Sequence, residues 1–163
     1  MLRVGVLSDT HGCWDERYAT FFSECEEIWH AGDIGALEVL EKFDPAKKIR
    51  AVCGNIDGAD IRLHYKKCSI FQVEQVKVVL THIGGFPKKY APGIKDLLYD
   101  EKPTLFVCGH SHILKVMYDP ELRVMCLNPG AAGTFGFHKV RTLMRFIVDG
   151  SKIRDLEIFE MKK

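Results

Sequence analysis

The sequence predicts an α/β fold in which two mixed β-sheets pack against each other with helices on the outside. Three observations carry this reading. The first third of the chain alternates short apolar runs with amphipathic stretches, the β-α-β-α-β order that places parallel strands under helices. The remainder is dominated by closely spaced β-rich runs joined by turns. The length, 163 residues, is that of one domain with a sizeable core.

Each element has its own signal. Residues 2–7, LRVGVL, form the first expected strand. In 14–22, Trp14, Tyr18, Phe21 and Phe22 fall on one helical face. Residues 26–30 return to a strand. Ala36, Val39, Leu40 and Phe43 then mark a short amphipathic helix that stops before Pro45, because the residue preceding a proline is driven out of helical conformation. Residues 48–53 are the third strand. The runs 68–73 and 76–82, joined through Glu74 and Gln75, read as a hairpin. A helix is expected over 92–101, with Pro92 in its first turn and Ile94, Leu97 and Leu98 turned inward. Strands follow at 104–108, 114–118 and 123–127, and two more, near 141–148 and 152–159, flank the Asp149-Gly150 turn. No repeat, low-complexity segment or linker interrupts the pattern, so 1–163 is expected to be a single domain.

Composition excludes several classes of function. Lys and Arg total 23 against 22 Asp and Glu, a net charge of +1, so bulk charge gives no signature of a nucleic-acid or membrane-surface protein. No apolar stretch approaches the roughly 20 residues of a membrane span. The opening MLRVGVLSD has no signal-peptide shape. The six cysteines contain no C-x-x-C pair, which argues against a zinc ribbon or a thioredoxin-type site. Cys53, Cys108 and Cys126 lie in apolar runs and are expected to be buried, reduced thiols in a cytoplasmic protein.

The chemistry lies at the ends of the apolar runs. The first strand ends in SDTHG (Asp9, His11), the second in HAGDIG (Asp33) and the third in CGNIDG (Asn55). The hairpin ends in LTHIGG (His82), and the next strand in CGHSH (His110, His112). In α/β sheets, sites form outside the carboxyl ends of strands, so residues scattered over more than a hundred positions are expected to converge. Two carboxylates, an amide oxygen and four imidazoles make a mixed N/O donor set. It suits manganese, iron, zinc, nickel or cobalt rather than calcium or an iron–sulfur cluster. Seven donors exceed what one tetrahedral zinc takes and suit two metals.

The ordered set D-x-H, G-D, G-N-x-D, H and G-H-x-H resembles the calcineurin-like metallophosphoesterase superfamily, and the short length and GNID form resemble its small YfcE-type phosphodiesterase branch. The resemblance runs from Asp9 to the NPGA turn at 128–131. It implies a four-layer α/β/β/α sandwich. It also implies two divalent metal ions, manganese first, with nickel, zinc, iron or cobalt as alternatives. Asp9, His11 and His112 would hold one ion, Asn55, His82 and His110 the other, and Asp33 would bridge both. The implied reaction is hydrolysis of a small phosphodiester by a hydroxide bridging the metals, with no protein nucleophile. The same site would also serve a phosphomonoesterase or nuclease, and some superfamily members are protein-interaction scaffolds. Many members carry a His directly after the Asn of the G-N motif, where this chain has Ile56.

Outside the ligand set, His30 is expected to pack at a strand end or to support the ligands or a phosphate, and Asp57 to hold the Asn55 loop through backbone N–H groups. His138 is expected in a solvated loop, with contact to substrate as the alternative, and Ser111 as a spacer. The segment 84–93 is expected to form a mobile rim beside the site. The sequence specifies no oligomeric state.

Overall fold

The computed structural model describes residues 1–163. Its first half contains β1 (Leu2–Leu7), α1 (Glu16–Phe21), β2 (Glu27–His30), α2 (Glu38–Glu41), β3 (Lys48–Ala51), α3 (Ala59–His64), β4 (Cys68–Val73) and β5 (Val76–Thr81). Then come β6 (Gly85–Phe86), β7 (Lys89–Tyr90), α4 (Ile94–Glu101), β8 (Leu105–Val107), β9 (Leu114–Asp119), β10 (Val124–Pro129), β11 (Val140–Asp149) and β12 (Lys152–Lys162).

The strands form two five-stranded sheets, ordered β12-β11-β1-β2-β3 and β4-β5-β8-β10-β9. In the first, β1, β2 and β3 run parallel and β11 pairs antiparallel to β1. In the second, β5, β8 and β10 run parallel, with β4 and β9 antiparallel at the edges.

Side-chain alternation explains the layers. Val4 and Val6 of β1 enter the core between the sheets, where they share a cluster with Val78 and Leu80 of β5 and Leu105 and Val107 of β8. Leu7 lies in the outer cluster with Tyr18 and Phe22 of the α1 segment. Val79 and Phe106 join Ile94 and Leu98 of α4 in the cluster outside the second sheet. Strands covered on both faces read as continuous apolar runs, because neither face meets water. The result is the four-layer α/β/β/α sandwich. The six cysteines are all free, and Cys53, Cys108 and Cys126 are buried. No helix is long and apolar enough to cross a membrane.

Two elements differ from the sequence reading. Helix α3 was not expected, and Ile61 is its only buried residue, so it carries no apolar stripe to recognise. Residues 84–93, expected as a mobile rim, contain the antiparallel ribbon Gly85↔Tyr90 and Phe86↔Lys89, which the sequence did not announce. Two residue pairs are too few to leave a period-two pattern.

Candidate metal centre

The loops after β1, β2, β3, β5 and β8 meet at one place. Asp9 N–H donates to the Gly32 carbonyl at 3.0 Å, His11 N–H to Asp33 at 3.0 Å and Gly12 N–H to Ile34 at 2.8 Å, so the loops after β1 and β2 run side by side. Gly109 N–H donates to the His82 carbonyl at 2.9 Å and ties the loops of the second sheet in the same way. Asp9, His11, Asp33, His110 and His112 all have left-handed backbones, with φ between 47° and 69°. Such conformations are uncommon for residues bearing a Cβ and persist where the surroundings over-determine them, typically at functional sites.

Each carboxylate has one oxygen committed to the protein and one facing the site. Asp9 is fully buried. Its Oδ2 accepts from Ser8 Oγ at 2.6 Å and from His110 N–H at 3.0 Å. Its Oδ1 lies 3.1 Å from His112 Nε2 and 3.9 Å from His11 Nε2. Asp33 Oδ1 accepts from Ile56 N–H at 3.1 Å. Its Oδ2 lies 3.6 Å from His11 Nε2 and 3.3 Å from His82 Nε2. Two trios of metal-type donors result: in each of Asp9–His11–His112 and Asp33–His82–His110, the ligand atoms lie within 4.8 Å of one another. Asn55 Oδ1 lies 3.0 Å from His82 Nε2 and adds an oxygen to the second trio.

The electrostatics suit a cation. Burial pushes the Asp9 carboxyl upward, but hydrogen bonds from His112 and Ser8 and the nearby His82 outweigh it and hold Asp9 below the ordinary range. Burial likewise raises the Asp33 carboxyl, and His82 and the Ile56 N–H more than reverse it. Burial lowers His82, while Asp33 and Asp9 raise it to a net upward shift. His11 Nε2 is buried without a hydrogen-bond partner, although it faces both carboxylates. A bound cation would satisfy that nitrogen, and the mixed N/O donors around it fit a divalent metal ion.

Neighbouring residues position this set. Asp57 accepts three backbone N–H groups, from Gly54 at 2.7 Å, Gly35 at 2.8 Å and Ile34 at 3.2 Å, and so joins the Asn55 loop to the Asp33 loop. Gly54 is pressed against Asp33, and a Cβ there would fall on the carboxylate. Arg62 of α3 donates to the Asp57 carbonyl at 2.7 Å and the Gly54 carbonyl at 3.0 Å. Asn128 donates to the Gly109 carbonyl at 2.9 Å and to Ser111 Oγ at 3.1 Å, so Ser111 braces the double-histidine loop as well as spacing it. Sequence reasoning missed Arg62 and the role of Asn128, because each acts on backbone carbonyls brought near only by folding.

His30 is fully buried. Thr10 Oγ1 donates to the Ile34 carbonyl, so it accepts from His30 Nε2 at 2.9 Å, while His30 Nδ1 accepts from Gly32 N–H at 3.1 Å. Both nitrogens are committed, which places His30 behind the ligand loops, away from a phosphate. Burial lowers its pKa from 6.5 to about 4. The unfolded imidazole therefore takes a proton first as the pH falls, and stability present above pH 6.5 is lost on the way down to about 4. The contribution is about 3 kcal/mol. Denaturant titration of metal-free protein at pH 7 and pH 4 should show a smaller acid loss, by about that amount, in His30→Gln than in the parent. Parallel losses would show that His30 is not the titrating group.

His138 is not a freely solvated loop residue. It donates from Nε2 to the Gly133 carbonyl at 2.9 Å, and its ring lies edge-on to His112 at 5.1 Å. Burial lowers its pKa.

The family model for the calcineurin-like phosphoesterase superfamily domain matches residues 2–151. A probable metallophosphoesterase from Methanothermobacter thermautotrophicus is 26% identical over 162 residues, covering 95% of this chain and 90% of the relative. A single-mutant Vps29 from Entamoeba histolytica has the same fold, with a TM-score of 0.77 at 14% identity over 99% of both chains. A structure described as a novel archaeal phosphodiesterase matches with a TM-score of 0.74 at 18% identity, over 97% of this chain and 100% of the other. Fold, donor groups and family match agree: this chain belongs to the calcineurin-like phosphoesterase superfamily, whose members normally bind divalent metal ions.

Proposed function

We propose that the chain, acting as one domain over 1–163, is a dinuclear-metal phosphodiesterase for small phosphodiesters. The observation that carries the reading is Asp33 Oδ2, which faces His11 at 3.6 Å and His82 at 3.3 Å while Oδ1 is held by Ile56 N–H. One oxygen thus addresses both trios. Asp9, His11 and His112 would hold one ion, Asn55, His82 and His110 the other, and Asp33 both. Two divalent cations, manganese foremost, would lower the pKa of a water and neutralise phosphoryl oxygens. The protein's part is to keep the carboxylates charged and the imidazoles aimed. His82 does the latter by donating Nδ1–H to the Ala31 carbonyl at 2.7 Å, which leaves the Nε2 lone pair toward the site.

A diester fits the surroundings better than a monoester. A cavity of about 360 Å³ includes Asn55 and His82 in its lining, and a second of about 490 Å³ includes His110 and His112. A diester has two arms to place and a monoester one. The near-neutral charge gives no support to a nuclease.

Metal analysis after reconstitution should find about two divalent ions per chain, and the loaded protein should hydrolyse bis-p-nitrophenyl phosphate faster than p-nitrophenyl phosphate. One tightly held ion with full activity would overturn the dinuclear assignment. Two ions with no turnover of either ester would favour an interaction scaffold that retains the metal site.

A further inference from the structure

We infer that Phe135 and Phe137 form a stacking platform for a planar aromatic group, nucleobase or aryl, on the retained arm of the substrate. The inference rests on the phosphodiesterase reading above and deepens it. Among the ten phenylalanines, these two alone are exposed, Phe135 at 67% and Phe137 at 105%. Both line the cavity of about 490 Å³ that also contains His110, His112 and His138. Exposed aromatic rings leave apolar surface in water, and two in the lining of one cavity mark a binding surface.

The rings are presented by a tethered segment. Gly136, between them, has φ +123°, and a Cβ there would fall on the His112 imidazole. Gly133 lies equally close against the Thr10 carbonyl. Lys163 Nζ donates to the Gly136 carbonyl. The Phe135 ring lies 4.8 Å from that of His11, at an interplanar angle of 38°. Phe135 is therefore held beside the Asp9–His11–His112 trio, and Phe137, two residues on, lines the same cavity. A flat π-system entering this cavity finds exposed aromatic surface to stack on, whereas a short alkyl arm leaves it bare. Stacking tolerates any base, because every base has a π-face.

The test holds the leaving group constant and changes the retained arm. Methyl, phenyl and thymidyl p-nitrophenyl phosphates are compared with the metal-loaded protein and its variants Phe137→Ala, Phe137→Leu and Phe137→Tyr. Phe137→Ala and Phe137→Leu should lower kcat/KM for the aromatic arms by about 5–100-fold, leave the methyl diester within about twofold, and be rescued by Phe137→Tyr. A loss confined to the thymidyl arm identifies a nucleobase as the stacking group, and equal losses on phenyl and thymidyl identify any aryl group. A second measurement does not need turnover: calorimetric titration of thymidine monophosphate against methyl phosphate, where the parent should prefer the nucleotide and Phe137→Ala should lose that preference. Equal effects on all three arms, or no preference for the nucleotide in the parent, would overturn the platform and leave the rings as a surface for a macromolecule. If the parent hydrolyses none of the diesters, the phosphodiesterase reading fails by itself and the titration still decides the platform.

Discussion

Asp33→Asn is expected to abolish hydrolysis, by more than about 10³-fold, and to weaken both metal positions together. Both carboxylates reach across the trios, but Asp33 Oδ2 does so more closely, at 3.6 Å from His11 and 3.3 Å from His82, whereas Asp9 Oδ1 lies 3.9 Å from His82. The substitution is close to isosteric. An amide oxygen still accepts the Ile56 N–H that Oδ1 now accepts at 3.1 Å, so the loop keeps its hydrogen bond. What changes is the remaining atom, from a charged acceptor to an NH₂ donor pointed at two imidazole nitrogens. Losing several kcal/mol of charge stabilisation at the reacting centre corresponds to about three decades in rate. Metal counting separates the cause: a variant with both ions bound and near-normal turnover would show that Asp33 does not bridge.

The second large effect concerns the departing oxygen. Diesters with activated aryl leaving groups should react faster than alkyl ones by about 10²–10⁴-fold, the contribution a general acid ordinarily makes. Ile56 occupies the position where many superfamily members place a His; the residue is 47% exposed, and its backbone N–H is engaged with Asp33. His30 does not reach the departing oxygen, because it is fully buried with both nitrogens bonded within the fold. The measurement is log kcat/KM against leaving-group pKa, and a steep fall is expected. Ile56→His should recover part of the rate for poor leaving groups. A flat dependence, with chemistry shown to limit the rate, would mean that another residue donates the proton. His138 beside His112 would be mutated first, then Lys67 in the cavity next to Asn55.

Much of this architecture is legible in one dimension. The central strands of both sheets are readable because they are buried on two faces and leave continuous apolar runs, as in Val4 to Leu7 and Leu105 to Cys108. The hairpin at Asp149-Gly150 was readable because turn chemistry is local. Helix α3 was not, since one buried residue, Ile61, leaves no periodic trace. The ribbon at 85–90 was too short to declare itself.

The sequence by itself determined which donors stand at which strand ends: Asp9, His11, Asp33, Asn55, His82, His110 and His112 follow apolar runs whose burial forces their loops to the carboxyl edge of the sheets. Only the tertiary structure decided how each atom is used. Asp9 Oδ2 is occupied by the N–H of His110, 101 residues away, which turns Oδ1 toward the site, and Asp33 is oriented by Ile56 in the same way. His30 and His138 look alike in sequence, each a lone histidine near the motifs. Thr10 and Gly32 seal one behind the loops, while the other stands edge-on to His112 in a cavity wall. The reason is physical: residue type and local pattern set burial, but a side chain's role depends on which lone pairs and protons its distant neighbours have already taken.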